Sequence, residues 1–297
     1  MTASPTSYNV VQYNDVHDFR KNTQSTLEAT EVLNTFPLWM AGMMASSSSP
    51  TPQSYGALFQ SDRLVCVYIC AEGNSYIGWC DADPAIPDSP ALVQAITELL
   101  TTGVALDAIS SLHGYCPAVE LFHKIRQTIV PRENTTPDDY KTWSLQVTNK
   151  QQIRHTRHLK ARLLPAGWMD FLLLLEWAEA FIRDCGIHEP FDMWDQCAAE
   201  IAQGTAYFWC LDDGIPVAMV WKRRALRYGI SLAYVYTPPE HRNKGYAAAM
   251  VAQFTEALLS EGYSYVTLLM DGNRDPIKNM YASVGYQVVG SICRFAY

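Results

Sequence analysis

The segment from Ile230 to Ala247 (ISLAYVYTPPEHRNKGYA) constrains this chain more than any other. Its apolar first half predicts a strand, which Pro238 and Pro239 must end because neither has an N–H to continue a ladder. Arg242, Asn243, Lys244, Gly245, Tyr246 and Ala247 then open a helix predicted over 243–260. Within it Tyr246, Met250, Phe254 and Leu258 recur every four residues with Val251 beside them, so one face is buried. Gly262 stands where a left-handed residue closes a helix. A strand that runs through a short loop into a helix leaves the first helical N–H groups without acceptors. Those donors and the positive end of the helix dipole converge on one point, which makes an anion site. A side chain at position 245 would stand between this backbone and a closely approaching phosphate.

The surrounding pattern supplies a sheet for this segment. The second half predicts a strand at 158–164, helices at 168–183 and 193–203, three antiparallel strands at 206–211, 216–222 and 228–236, and the helix just described. A strand at 265–270, a short helix at 276–284 and a last strand at 287–295 follow. The first half predicts a helix within 25–33, strands at 56–59, 63–70 and 76–80, a helix at 90–100, a strand near 105–110, a helix at 117–128 and a strand at 142–147. The stretches 46–52 and 131–139 are loops by their Ser, Pro and polar content. Each half therefore reads as a mixed α/β (α+β) domain, a mostly antiparallel sheet flanked by helices. The related order suggests a decayed internal duplication. Length agrees, since a single core stops growing at roughly 250–300 residues and this chain has 297. Asn149 to Gln152 is the best linker, giving domains 1–150 and 151–297.

Charge separates the two halves. The chain carries 22 Lys and Arg against 30 Asp and Glu, a formal net charge of -8, and a protein that neutralises nucleic-acid phosphates is normally basic. Nucleic acid is excluded as the expected partner. Residues 1–150 hold 8 basic and 15 acidic side chains, a balance of -7, and 151–297 hold 14 and 15, a balance of -1. The near-neutral half suits an anionic ligand, although acidic surfaces also serve solubility. The opening residues lack a secretory signal and no run approaches the roughly 20 apolar residues of a membrane span, so a soluble cytoplasmic protein with no membrane role is expected. Eight cysteines without CxxC spacing, several inside apolar runs such as 65–70, read as free buried thiols. The seven histidines form no ligand pair, and no metal is expected.

The run Val235–Ala247, followed by a strand, a short helix and the string Tyr281-Ala-Ser-Val-Gly285-Tyr286, resembles the GNAT superfamily of acetyl-CoA-dependent N-acetyltransferases. It is most similar to a tandem type whose members share a YTPPEHRxxGYA-like signature and carry a degenerate first domain. The resemblance covers about 155–297 and is faint over 1–150. It implies a GNAT-like catalytic domain at 151–297 and a degenerate GNAT-like domain at 1–150 that binds no CoA. It also implies that the backbone of Val235, Tyr236 and Thr237 pairs with the pantetheine arm. The N–H groups of Asn243, Lys244, Gly245, Tyr246 and Ala247 would cradle the pyrophosphate, with Arg242 bracing the loop. Tyr281 falls where the family keeps a tyrosine that protonates the departing thiolate. The family's Asn three residues before that tyrosine is replaced here by Lys278, with Asn279 one position later. One residue rotates a helical side chain by about 100°, so Asn279 need not face CoA as its family counterpart does, and Lys278 is the alternative phosphate contact.

The implied reaction is acetyl transfer to a primary amine of a small molecule by direct attack, with a backbone N–H near Val235 or Tyr236 holding the oxyanion. Use of another acyl-CoA, other acyl chemistry, or CoA binding without catalysis are the alternatives. No unique base emerges among Glu176, Glu179, Asp192, Asp195, Glu240 and Asp271. The large apolar side chains of 168–181 and 191–194 suggest either a pocket for an apolar or aromatic amine or ordinary core packing. Lys222, Arg223, Arg224 and Arg227 read as a solvated hairpin turn remote from the anion loop. The counterpart loops weighed in the first half are Glu72–Asn74 and His113–Cys116.

Overall fold

The computed structural model describes residues 7–46, 53–80, 89–103, 105–132, 136, 139–154, 160–187, 192–273 and 280–297. Two compact units emerge: Met1–Trp143 with Gly290–Tyr297, and Ser144–Val289. No helix among the described residues is long and apolar enough to cross a membrane.

The first unit runs β1 (Tyr8–Tyr13), α1 (Val16–Ala29), α2 (Thr35–Ser46), β2 (Gln53–Gln60), β3 (Arg63–Ala71), β4 (Asn74–Trp79), α3 (Pro90–Gly103), β5 (Ser111–Tyr115) and α4 (Cys116–Ile129). Strands β1 to β4 form an antiparallel meander and β4 pairs with β5 in parallel. Ile292–Ala296 of the C-terminal strand close the sheet antiparallel to β5. β3 is buried on both faces, and its side chains alternate between them as strand geometry requires. Cys66, Tyr68 and Cys70 pack with Leu92, Ile96 and Leu99 of α3 and Phe122 of α4, whereas Val67 and Ile69 pack with Phe19 and Leu27 of α1 and Met44 of α2.

The second unit opens with the buried part of β6 (Tyr140–Asn149) and continues with β7 (Ala161–Pro165), α5 (Phe171–Asp184), α6 (Met193–Gln203), β8 (Ala206–Leu211), β9 (Pro216–Arg223), β10 (Gly229–Tyr236), α7 (Tyr246–Ser260), β11 (Tyr265–Asp271), α8 (Met280–Val284) and β12 (Gln287–Ala296). Its strand order is β6-β11-β10-β9-β8-β7, with β10 and β11 parallel and the β7–β10 pairs antiparallel. Ala218 and Val220 of β9 face α7, and Met219 and Trp221 face α5 and α6. Met250, Val251, Phe254 and Leu258 of α7 are buried to within 2%, each contributing roughly 1.5–3 kcal/mol. From β1 to β6 and again from β7 to β12 the chain repeats one series: a strand, two helices, three strands, a helix, a strand, a helix, a strand.

Two expectations for the first half change, and α2 stands where no element was expected. The helix expected within 25–33 is the end of α1, whose true start is capped by Asp15 Oδ1 accepting from the N–H groups of His17 and Asp18. α2 carries apolar side chains on every side and so has no 3.6-residue period to detect. The strand expected near 105–110 is a 3-10 turn at Leu106–Ala108, and the strand itself follows at Ser111.

Candidate functional site

The parallel ladder between β10 and β11 runs from Gly229↔Tyr265 to Leu232↔Leu268 and then stops, although both strands continue. On the other edge β10 stays paired to β9, but its register shifts between Ala233↔Trp221 and Tyr236↔Met219. Tyr234 and Val235 thus form a bulge opposite Val220, and a bulge bends its strand away from a neighbour. Tyr234 sits at φ 49°, in the left-handed region that costs an L-residue roughly 1–2 kcal/mol. Its ring recovers that cost by stacking on Trp221 at 3.8 Å and 19° and meeting Phe181 at 4.8 Å. Its hydroxyl lies 3.4 Å from Gln196 Oε1 and 3.8 Å from Met193 Sδ. One edge of β10 beyond Leu232 is therefore free of β11, held open by a strained and well-packed tyrosine.

Beyond the bulge Tyr236 is buried, which raises its phenol pKa; the nearby Asp184 acts in the same direction and Arg242 against it. Thr237 Oγ1 is buried without a hydrogen-bond partner among the described residues. Pro239–His241 make one 3-10 turn. Arg242 donates from Nε to the Thr237 carbonyl at 2.9 Å and pairs through Nη2 with Asp184 Oδ2 at 2.6 Å, so it ties the loop to the end of α5. Lys244 Nζ donates to the Glu240 carbonyl at 3.0 Å. Asn243 (φ 63°) and Gly245 (φ 82°) turn the chain into α7.

Among the described residues no side chain caps α7. Its first backbone bond is Ala249 N–H to the Gly245 carbonyl at 3.1 Å, and the N–H groups of Gly245, Tyr246, Ala247 and Ala248 have no acceptor among the described residues. A Cβ built on Gly245 meets nothing within 4 Å. The left-handed backbone therefore calls for glycine here, in addition to the room that the sequence argument required.

Tyr281, in α8, is half-buried against the α7 side of the sheet, its ring 6.1 Å from that of Tyr286. Tyr286 in turn shares a 2.7 Å hydrogen bond with Thr255 of α7. Gly285 (φ 110°) lets the chain pass against the Gln152 carbonyl, where a Cβ would collide, and Thr148 Oγ1 donates to the Gly285 carbonyl at 3.0 Å. Asn279 and Lys278 lie outside the described residues. The structure thus brings Val235, Tyr236, Thr237, Arg242 and the 243–247 backbone into one continuous strand, loop and helix start.

The candidate bases do not converge in the same way. Glu240 and Asp271 are exposed, and Asp271 Oδ1 accepts from Asn273 N–H at 3.0 Å. Glu176 and Glu179 lie on the exposed face of α5, and Asp192 caps α6 through Asp195 N–H at 3.1 Å. β10 itself carries no carboxylate.

Sequence reasoning missed Asp184 as the partner of Arg242, and it misread the basic run at 222–224. Arg223 Nε lies 3.2 Å from Glu200 Oε1, and Nη1 lies 3.5 Å from Gln196 Oε1. Arg224, at φ 50°, has its guanidinium pKa pushed down to about 10 by burial and by Arg223 beside it. Burial also raises the Glu200 pKa against the pull of Arg223. Arg223 therefore anchors α6, Lys222 lies 3.9 Å from Glu261 at the end of α7, and Arg227 alone of the four is exposed in the turn. In the first unit, Gly73 belongs to the β3–β4 turn and Gly114 lies inside β5, so neither weighed loop joins a strand to the helix that corresponds to α7.

Comparison with known proteins fits this geometry. The FR47-like protein family model matches residues 214–295, which include β10, the loop and α7. A GNAT-family acetyltransferase from Colwellia psychrerythraea covers 97% of this chain and 99% of its own at a TM-score of 0.58 and 11% identity. A GCN5-related N-acetyltransferase from Sphaerobacter thermophilus covers 97% and 95% at 0.59 and 10%. A Drosophila protein covers 98% and 99% at 0.64 and 7%. No protein with a curated description matches the sequence significantly. The chain has the fold of the GNAT acetyltransferases.

Proposed function

We propose that this protein transfers the acetyl group of acetyl-CoA to a primary amine of a small molecule, in the second unit. The observation that carries the reading is the early end of the β10–β11 ladder, followed directly by an uncapped α7. CoA fits the residues present. The unpaired edge at Val235, Tyr236 and Thr237 offers backbone groups to the amides of pantetheine, and the unpartnered Thr237 hydroxyl adds a buried polar contact. The N–H groups of Asn243 to Ala247 take the pyrophosphate, on a loop that Arg242 and Asp184 hold in place.

In this reading CoA supplies the activated thioester, and the chain positions it and manages charge. The neutral amine attacks the thioester carbonyl, a backbone N–H at Val235 or Tyr236 stabilises the oxyanion, and Tyr281 donates its proton to the leaving sulfur. Asn279 or Lys278 meets a CoA phosphate. Since β10 has no carboxylate, the ammonium loses its proton to solvent or to a carboxylate on α5 or α6 that acts as the base.

The first unit is a degenerate GNAT-like partner that binds no CoA. Between β4 and α3, where the second unit has Arg242, Lys244 and Gly245, its sequence has Asp81, Asp83 and Asp88 and no glycine. Ser89 Oγ accepts from Leu92 N–H at 3.2 Å and Pro90 has no N–H, which removes donors that an anion would need. CoA density in residues 1–143 of soaked crystals would defeat this part.

A thiol-release screen of several acyl-CoA donors against a diverse amine library tests the whole. The reading expects thiol from acetyl-CoA only when an amine is present. Preference for a longer acyl donor would replace the donor assignment, and tight CoA binding without turnover across the library would replace catalysis with sensing.

A further inference from the structure

We propose that Trp168, Phe171, Leu172 and Trp194, with Asp192 and Asp195 at their rim, form the acceptor platform, and that the acceptor is a protonated amine carrying an aromatic or long apolar group. The inference rests on the acyl-transfer reading above and names its second substrate.

Single exposed apolar side chains are ordinary, but these are grouped. Trp168 is 63% exposed, Leu172 71% and Trp194 57%. Phe171 joins the two indoles, stacked on Trp168 with centroids 6.2 Å apart and edge-on to Trp194 at 4.6 Å. The platform spans the first turns of α5 and α6, and the residue before Trp194 reaches the bulge, with Met193 Sδ 3.8 Å from the Tyr234 hydroxyl. α6 thus carries both Trp194 of the platform and the contact to the bulge.

Charge chooses the occupant. Within the platform's own turns, 168–172 and 192–195, the chain has Asp170, Asp192 and Asp195 and no Lys or Arg. Asp192 spends one oxygen on the α6 cap, and the Asp195 carboxylate has no partner among the described residues. Aromatic faces beside carboxylates attract an ammonium through both the ring quadrupole and direct charge. The indoles and Leu172 cover an apolar substituent. An anionic or strongly polar acceptor gains nothing here.

Calorimetry on the full chain with saturating CoA, titrating 2-phenylethylamine, tryptamine and octylamine, tests this. At least one of these should bind, and the neutral isostere 2-phenylethanol and the small amine ethanolamine should bind at least tenfold more weakly. Trp194→Ala and Asp195→Asn should each weaken the amine at least tenfold while CoA affinity, measured on the same samples, stays within twofold. No binding by any of the three amines, equal binding of ethanolamine, or variants within twofold of wild type overturns the proposal. Thiol release separates the two readings. Binding without release defeats acyl transfer and leaves the platform, and release with polar amines alone defeats the platform and leaves acyl transfer. If Trp194→Ala converts a dimer to a monomer by light scattering with unchanged amine binding, the platform joins copies of this chain and the proposal fails.

Discussion

Gly245→Glu separates the local cost of the loop from its ligand-binding role. Gly245 sits at φ 82° with open space around its missing Cβ. A substitution there brings no clash, only the left-handed penalty of roughly 1–2 kcal/mol. In a unit of about 150 residues, 1 kcal/mol corresponds to about 2–4 °C in Tm, so the apo protein should melt about 2–8 °C lower than wild type. CoA at 100 times its Kd stabilises the wild type by about 2.7 kcal/mol, or about 5–11 °C on the same scale. In Gly245→Glu that shift should vanish, because a carboxylate then faces the pyrophosphate at the uncapped helix start. Gly245→Ala carries the same backbone penalty without the charge and should keep part of the shift. Differential scanning fluorimetry across a CoA titration reads all three. A full CoA shift in Gly245→Glu would refute the anion-site reasoning, and an unchanged apo Tm in both variants would refute the strain argument.

Three further outcomes follow from the same geometry. Tyr281→Phe should lower kcat at least tenfold with the KM for acetyl-CoA within about threefold, and an unaltered kcat removes it as the acid. Arg242→Ala breaks an ion pair whose side chains are 44% and 41% exposed, so its stability cost should stay below about 1 kcal/mol while the KM for acetyl-CoA rises several-fold; a normal KM would show that the loop needs no brace. His113 is pushed down to about 3 by burial and the Arg294 charge, below its ordinary value, so between pH 6.5 and 3 the unfolded chain takes up a proton that the folded chain refuses. Stability should therefore fall as pH drops through 6.5, by at most about 2 kcal/mol at pH 5, and His113→Gln should flatten that slope in a pH series of melts.

The second unit was legible because its signals are local. The strand of β10, the proline stop and the four-residue spacing of α7 lie in one stretch of chain, and α6 and β8 fall at the expected bounds. The bulge was not legible: Tyr234 reads as one more strand residue, and its left-handed backbone depends on Trp221 and Phe181 from other elements. Arg242 was expected to brace the loop, but Asp184 lies 58 residues away and nothing in the spacing announces the pair. The basic run at 222–224 misled because exposure was inferred from charge, while Glu200 and Gln196 on α6 draw Arg223 inward. In the first unit α2 escaped because Thr35–Ser46 is apolar all round, and its Pro37 sits in the first turn, where the helix tolerates it. The association of Gly290–Tyr297 with the first unit also has no sequence signal, since strand pairing at such separation is decided by the assembled sheet.

The fate of the acetyl group decides whether this chain is an acetyltransferase. Incubating the full chain with [13C2]acetyl-CoA and an arylalkylamine, then weighing the products by mass spectrometry, should give one labelled amide for each thiol released, with none from Gly245→Glu at the same acetyl-CoA concentration. Thiol released without a labelled amide, or a labelled amide formed equally well by Gly245→Glu, would contradict the account.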